Sequence, residues 1–172
     1  MEFKRLPHID NCYDYQFITF RTLDSVGDFL RKLFLQDIPN DKMQLAVDEY
    51  TDISIKGAYL TGDALFLLHH FLRDKEPDFY SLIAFCIMPN HVHLLLKPNV
   101  AVPKLMQCVK GGSGKLINEL LSKKGSFWAK NYYDKGIRDQ KHFDCVYRYI
   151  ENNSLKLRKN DENSLRFYGI YS

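Results

Sequence analysis

Apolar residues along this chain alternate between two periods, and the changes of period mark its elements. Tyr15-Gln16-Phe17-Ile18-Thr19-Phe20-Arg21 is rich in β-branched and aromatic side chains and predicts a strand. Residues 23–60 are less regular. Met43, Ala46, Val47 and Tyr50 have helical spacing, but Ile53 to Leu60 has no clear period. Ala64, Leu65, Leu67, Leu68, Phe71 and Leu72 predict a firm helix that starts near Thr61 or Asp63. Ser81 to Ile87 is a continuous apolar run, the mark of a strand covered on both faces. Met88-Pro89-Asn90 is a turn, and His91 to Lys97 returns as an antiparallel strand ended by Pro98-Asn99. A helix follows from about Pro103 to Leu121, interrupted by Gly111-Gly112-Ser113-Gly114. Phe127 to Tyr133 has strand composition, and a last helix runs from about Asp139 to Arg158.

The order is strand, helix, strand, strand, helix, strand, helix. Its first six elements match a split βαβ, ferredoxin-like antiparallel sheet with helices on one face, an α+β fold. The seventh, an added C-terminal helix, can then cross the open face. A chain of 172 residues suits one domain, with residues 23–60 as an extended or inserted segment.

Composition narrows the class. The chain is 45% hydrophobic and 26% charged, which supports a packed core and argues against disorder. It has no apolar run of 18 residues and no leader-like start, so a soluble, non-exported protein is expected. Cys12, Cys86, Cys108 and Cys145 stand apart with no C-x-x-C pair, which suits reduced thiols in a cytoplasm. Net charge is only +3, but residues 1–100 hold 10 Lys/Arg against 14 Asp/Glu and residues 101–172 hold 14 against 7. A polyanion would dock on the second half.

The strand pattern places one piece of chemistry. His91 and His93 flank Val92, and alternate strand side chains share a face. Two imidazoles side by side on a rigid strand are half of a metal site. On the last helix, Phe143, Val146, Tyr147, Ile150 and Ser154 form the packing stripe. Tyr149 and Asn153, one turn apart with His142 nearby, form a second stripe at the edge of the core. A tyrosine hydroxyl and an amide oxygen so placed can face a metal together, or Tyr149 can be an ordinary half-buried core residue. Tyr147 is the main rival as a reactive tyrosine, with Tyr132 and Tyr133 behind it. Two other motifs fail on spacing. Gly111-Gly112-Ser113-Gly114-Lys115 lacks the Walker pattern, because Val109 and Leu116 stand at required positions. A histidine-triad hydrolase would need a third histidine where Leu95 stands.

The run Met88-Pro89-Asn90-His91-Val92-His93-Leu94-Leu95-Leu96-Lys97-Pro98 resembles the histidine–hydrophobic–histidine (HUH) motif of the single-tyrosine transposases. Residues 127–156 resemble the stretch leading into their catalytic helix. The likeness covers Tyr15–Arg21 and most of residues 62–158, and is nearest to the REP-associated and insertion-sequence transposases. It implies that His91 and His93 are metal ligands, that Tyr149 is the nucleophile, and that Asn153 supplies a third ligand. The family commonly has Asn-Pro where this chain has Asn153-Ser154, which leaves Asn152 as the alternative. The implied reaction is Mg2+- or Mn2+-dependent cleavage and rejoining of single-stranded DNA beside a hairpin, through a 5′-phosphotyrosine. Lys104, Lys110, Lys115, Lys123, Lys124, Lys130, Arg138, Arg148, Lys156, Arg158 and Lys159 are candidates to hold DNA. Phe127, Trp128, Tyr132 and Tyr133 are candidates to stack on bases. The alternatives are a non-catalytic DNA- or RNA-hairpin-binding protein on the same scaffold and a replication-initiator or relaxase-type nickase. The implied assembly is open between a monomer and a homodimer that exchanges the tyrosine helix.

Overall fold

The computed structural model describes residues 6, 14–25, 27, 32–33, 35–157 and 162–172. Arg158 and Lys159 lie outside the described residues, as does Cys12. Five antiparallel strands make one sheet: β1 (Gln16–Arg21), β2 (Tyr80–Ile87), β3 (His91–Pro98), β4 (Tyr133–Gly136) and β5 (Phe167–Gly169), in the order β4-β1-β3-β2-β5. The first four follow the ferredoxin-like order that the sequence predicts. The three-residue β5, too short to carry a period, extends the β2 edge.

Alternation along the strands sorts the core into two faces. Ile18, Phe20, Val92, Leu94 and Leu96 belong to the larger cluster, which α2 (Gly62–Asp74) and α3 (Val102–Leu121) cover. Leu95, Cys86 and Ala84 face the other way, where α4 (Gln140–Asn153) lays down Phe143, Val146, Tyr147 and Ile150. α4 starts at an Asp139 cap whose carboxylate accepts from the His142 N–H at 2.7 Å. It ends at Asn153 in a 3-10 turn (Ser154–Lys156), short of the predicted end at residue 158.

Two predicted irregularities are absent. The Gly111–Gly114 run does not interrupt its helix, because α3 is continuous from Val102 to Leu121. Gly112 and Gly114 serve close packing. A Cβ at Gly112 would lie 2.8 Å from Phe71 Cζ, and one at Gly114 would lie 3.2 Å from Trp128 Cδ1. Phe127 to Tyr132 is not a strand either. It makes a single bridge, Thr22 to Trp128, because its aromatics turn into the core. The Trp128 ring meets Phe20 at 4.6 Å and donates Nε1–H to Ser113 Oγ at 3.0 Å. Pairing begins only at Tyr133.

Within residues 23–60, the helical spacing of Met43, Ala46, Val47 and Tyr50 corresponds to α1 (Asn40–Ile53). Its apolar stripe closes a small third cluster, with Val47 against Leu33 and Met43, Ala46 and Tyr50 alongside. Its C-terminal end is tied down at two points. Asn90 Nδ2 donates to the Thr51, Ser54 and Lys56 carbonyls at 3.0, 3.2 and 3.3 Å. Thr22 Oγ1 donates to the Gly57 carbonyl at 2.9 Å.

Gly57 has φ +67°, and a Cβ there would lie 2.3 Å from Thr22 Oγ1 and 2.6 Å from the Ser25 amide nitrogen. Gly57→Ala should lower unfolding free energy by about 2 kcal/mol or more, from left-handed strain plus the clash. Gly111 has nothing within 4 Å of its Cβ position, so Gly111→Ala should stabilise by about 0.5–1 kcal/mol. Denaturant melts of the two variants check both signs.

Candidate active site

β3 pairs with β1 so that Thr19 faces His93 and Arg21 faces His91. All four side chains are therefore on the α4 side of the sheet. His93 Nδ1 is 2.7 Å from Thr19 Oγ1, and His91 Nδ1 is 2.7 Å from Asn90 Oδ1. Asn90 spends its amide hydrogens on three carbonyls, so its oxygen must accept and His91 Nδ1 must carry the proton. His91 Nε2 then presents a bare lone pair. Burial, then the Arg21 and Lys156 charges, drive the His91 pKa down to about 3. His93 is pushed well below its ordinary value by burial and by His91. Both rings are neutral at physiological pH, the state that ligates a cation.

Tyr149 reaches the same region from α4. The Tyr149 ring lies 5.2 Å from that of His93 and 6.1 Å from that of Phe17. Asn153, one turn on, is 1% exposed, and neither side-chain amide atom has a hydrogen-bond partner. Tyr147 is separated from this site. It points into the core, where its hydroxyl is 2.7 Å from Ser172 Oγ and accepts from the Tyr171 N–H.

α1 adds two carboxylates that sequence reasoning missed. Asp52 Oδ1 faces His91 Nε2 at 3.4 Å, and Lys156 Nζ donates to Asp52 Oδ2 at 2.5 Å. Asp48, one turn earlier, accepts the Tyr149 hydroxyl at 3.0 Å. Asp48 is 5% exposed, and burial raises its pKa to about 6 against the pull of Tyr149 and Arg21. Tyr149 is itself raised far above its ordinary value, first by burial and then by Asp48. It rests as a neutral phenol.

The arrangement fits a divalent cation. His91 Nε2, His93 Nε2, Asp52 Oδ1 and both Asn153 amide atoms are buried without hydrogen-bond partners. A lone pair facing a carboxylate with no donor between them is a costly arrangement that a cation relieves. Among the described residues, no three His, Cys, Asp or Glu side chains make a ligand set by themselves. A cation on the histidine pair would therefore need a further donor, for which the Asn153 amide is a candidate.

A family model for IS200-like transposases matches residues 58–153. The chain belongs to that family. The site elements β3 and α4 both lie inside the match, whereas α1 lies outside it. Among solved structures, the chain is similar to a REP-associated tyrosine transposase bound to a REP hairpin, at 15% identity and a TM-score of 0.50. That match covers 91% of this chain and 74% of the other. A Deinococcus radiodurans protein described as a putative transposase matches at 17% identity and a TM-score of 0.48, over 89% and 96% of the two chains. No curated protein matches.

In this transposase-family chain the expected DNA-holding residues divide. Lys110, Lys115, Lys123, Lys124 and Lys130 gather around one groove of about 790 Å³ between α3 and the loop that follows it. Lys110 also donates to the Ala129 and Lys130 carbonyls at 2.6 and 2.9 Å, pinning the groove wall. Lys104 is exposed at the opposite end of α3, away from the groove. Arg138 is exposed beside the start of α4, and Arg148 pairs with Glu151 at 3.0 Å. Lys156 sits at the candidate site, 5.6 Å above the Tyr149 ring. Trp128 and Phe127 are 4% and 5% exposed and packed on each other, which corrects their expected role as stacking surfaces. Tyr132 and Tyr133 are half-buried and line a cleft of about 480 Å³ with Arg21.

Asp48 gives a sign test. A carboxyl raised from 3.8 to about 6 on folding opposes folding once ionised. Its cost is absent below the unfolded value, near pH 4, and complete above about pH 6. Asp48→Asn should therefore raise unfolding free energy by about 2–3 kcal/mol at pH 8 and leave it unchanged at pH 3.5, as urea melts at the two pH values would show.

Proposed function

We propose that this chain cleaves and rejoins single-stranded DNA through a covalent bond between Tyr149 and a 5′-phosphate. The observation that carries the reading is the placement of Tyr149, 5.2 Å from His93, beside a set of buried and unpartnered ligand atoms. A non-catalytic hairpin binder would have no use for a neutral histidine pair with buried, unpartnered Nε2 atoms next to a buried tyrosine.

His91, His93 and Asn153 would hold Mg2+ or Mn2+. The ion would supply Lewis-acid charge neutralisation at the scissile phosphate. The remaining work belongs to the chain. Thr19 and Asn90 fix the imidazole rings, and Arg21 and Lys156 add positive charge where a phosphate would lie. The Tyr149 oxygen attacks phosphorus and the 3′-oxygen leaves as a hydroxyl. Because the phosphotyrosine conserves the ester, a second 3′-hydroxyl can reverse the step and join strands.

A route for the strand is open. The lysine groove shares Ala129 and Lys130 with the Tyr132–Tyr133 cleft. That cleft in turn shares Gln44 and Tyr133 with a cleft of about 280 Å³ that exposes Tyr149. Duplex backbone at the lysines and unpaired bases along Tyr132 and Tyr133 would lead to the tyrosine. This route supports a hairpin substrate with a single-stranded flank, of the kind named for the REP-associated neighbour.

The test is a denaturing-gel assay for a protein–DNA adduct, using single-stranded oligonucleotides from the DNA flanking the gene, with Mn2+. An adduct in the wild type that vanishes in Tyr149→Phe and in excess chelator is the expected result. An adduct that persists in Tyr149→Phe would move the nucleophile elsewhere. Tight hairpin binding without any adduct would favour the binding protein.

A further inference from the structure

The geometry points to Asp48 as the proton acceptor for Tyr149 in the cleavage step and as the donor that returns the proton on rejoining. The inference rests on the assignment of Tyr149 as nucleophile. It concerns a residue of α1, the helix that lies outside the family match.

A phenol is a poor nucleophile until its proton has somewhere to go. The Tyr149 hydroxyl donates to Asp48 Oδ2 at 3.0 Å, within reach for direct transfer. The base is in turn oriented, because Gln44 Nε2, one turn earlier on α1, donates to Asp48 Oδ1 at 2.9 Å. A nucleophile bonded to a base that a third group holds is the recurring form of an activated hydroxyl.

The groups around Asp48 suit the role. The Tyr149 hydroxyl, Arg21 on β1 and Lys156 after α4 favour the ionised carboxylate, whereas burial and Asp52 on α1 oppose ionisation. Tyr133 on β4 feels the Asp48 charge as well. Burial makes the carboxylate more basic than an exposed one, and its pKa of about 6 leaves it ionised at neutral pH. Asp52 cannot serve, because its two oxygens face His91 and Lys156.

The step balances. Tyr149 Oη forms a bond to phosphorus as the bond from phosphorus to the 3′-oxygen breaks. The phenolic proton passes to Asp48 Oδ2, and the departing 3′-oxygen takes a proton from water. On joining, an incoming 3′-hydroxyl attacks the phosphotyrosine and releases its own proton to water. Tyr149 Oη leaves and recovers the proton held by Asp48. No oxidant, nucleotide or other co-reactant is consumed.

The experiment is single-turnover adduct formation with a flanking-DNA oligonucleotide in Mn2+, comparing wild type, Asp48→Asn, Asp48→Ala and Tyr149→Phe. Hairpin affinity is measured alongside. Asp48→Asn should bind within about twofold of wild type and form adduct about 10²–10⁴-fold more slowly. Asp48→Ala should be equally slow. Sodium formate, which can enter through the cleft at Tyr149, should speed Asp48→Ala at least tenfold over sodium chloride of equal ionic strength. An Asp48→Asn rate equal to or above wild type overturns the proposal. So does an Asp48→Ala rate that formate raises no more than chloride. If Tyr149→Phe still forms adduct, the nucleophile assignment itself fails. If only Tyr149→Phe is dead, the nucleophile stands and Asp48 is not the base.

Discussion

Buried acceptors without donors are the constraint around which this molecule is arranged. His91 Nε2, His93 Nε2, Asp52 Oδ1 and both Asn153 amide atoms are buried without hydrogen-bond partners. Each such group costs about 1–3 kcal/mol when nothing pairs with it. The neighbours hold the cluster in that state. Asn90 and Thr19 occupy the Nδ1 side of each imidazole, and the Asn90 oxygen leaves His91 Nε2 bare. Asn90 also ties the end of α1 to the same turn, so one side chain couples ring orientation to helix position.

The sheet separates stability from chemistry. One face buries Ile18, Phe20, Val92, Leu94 and Leu96 under α2 and α3, with glycines letting the helices approach Phe71 and Trp128. The opposite face is mixed. α4 packs half of it with Phe143, Val146, Tyr147 and Ile150, and Tyr149 meets His93 from the same helix. A buried carboxylate at Asp48 lowers stability at neutral pH, and such cost near a reactive group is common where activity and stability compete. β3 and α4, which border this face, both lie inside the region that matches the transposase family.

Much of this was legible in the chain. A period of two put His91 and His93 on one face, and a period of 3.6 set Tyr149 and Asn153 apart from the packing stripe. The four-strand order followed from element sequence alone. Other features depended on contacts that no local pattern encodes. Gly111 to Gly114 looked like a break because glycine disfavours helices, but Phe71 and Trp128 fill the space beside Gly112 and Gly114. Phe127 and Trp128 looked like a strand, yet their rings fill the core instead of facing a partner strand. Asp48 and Asp52 share one face of a helix, but only the tertiary structure sets that face against a tyrosine and a histidine 101 and 39 residues away along the chain. A paired Asp-x-x-x-Asp in an otherwise unassigned helix was the one signal available.

The most direct test of the site is Mn2+ binding to the free protein, read by electron paramagnetic resonance. The wild type should hold one ion, and His91→Ala, His93→Ala and Asn153→Ala should each weaken that binding at least tenfold while the fold melts cooperatively. A wild type that binds no ion at millimolar Mn2+, or binding that survives loss of His93, would contradict the assignment of this cluster as a cation site.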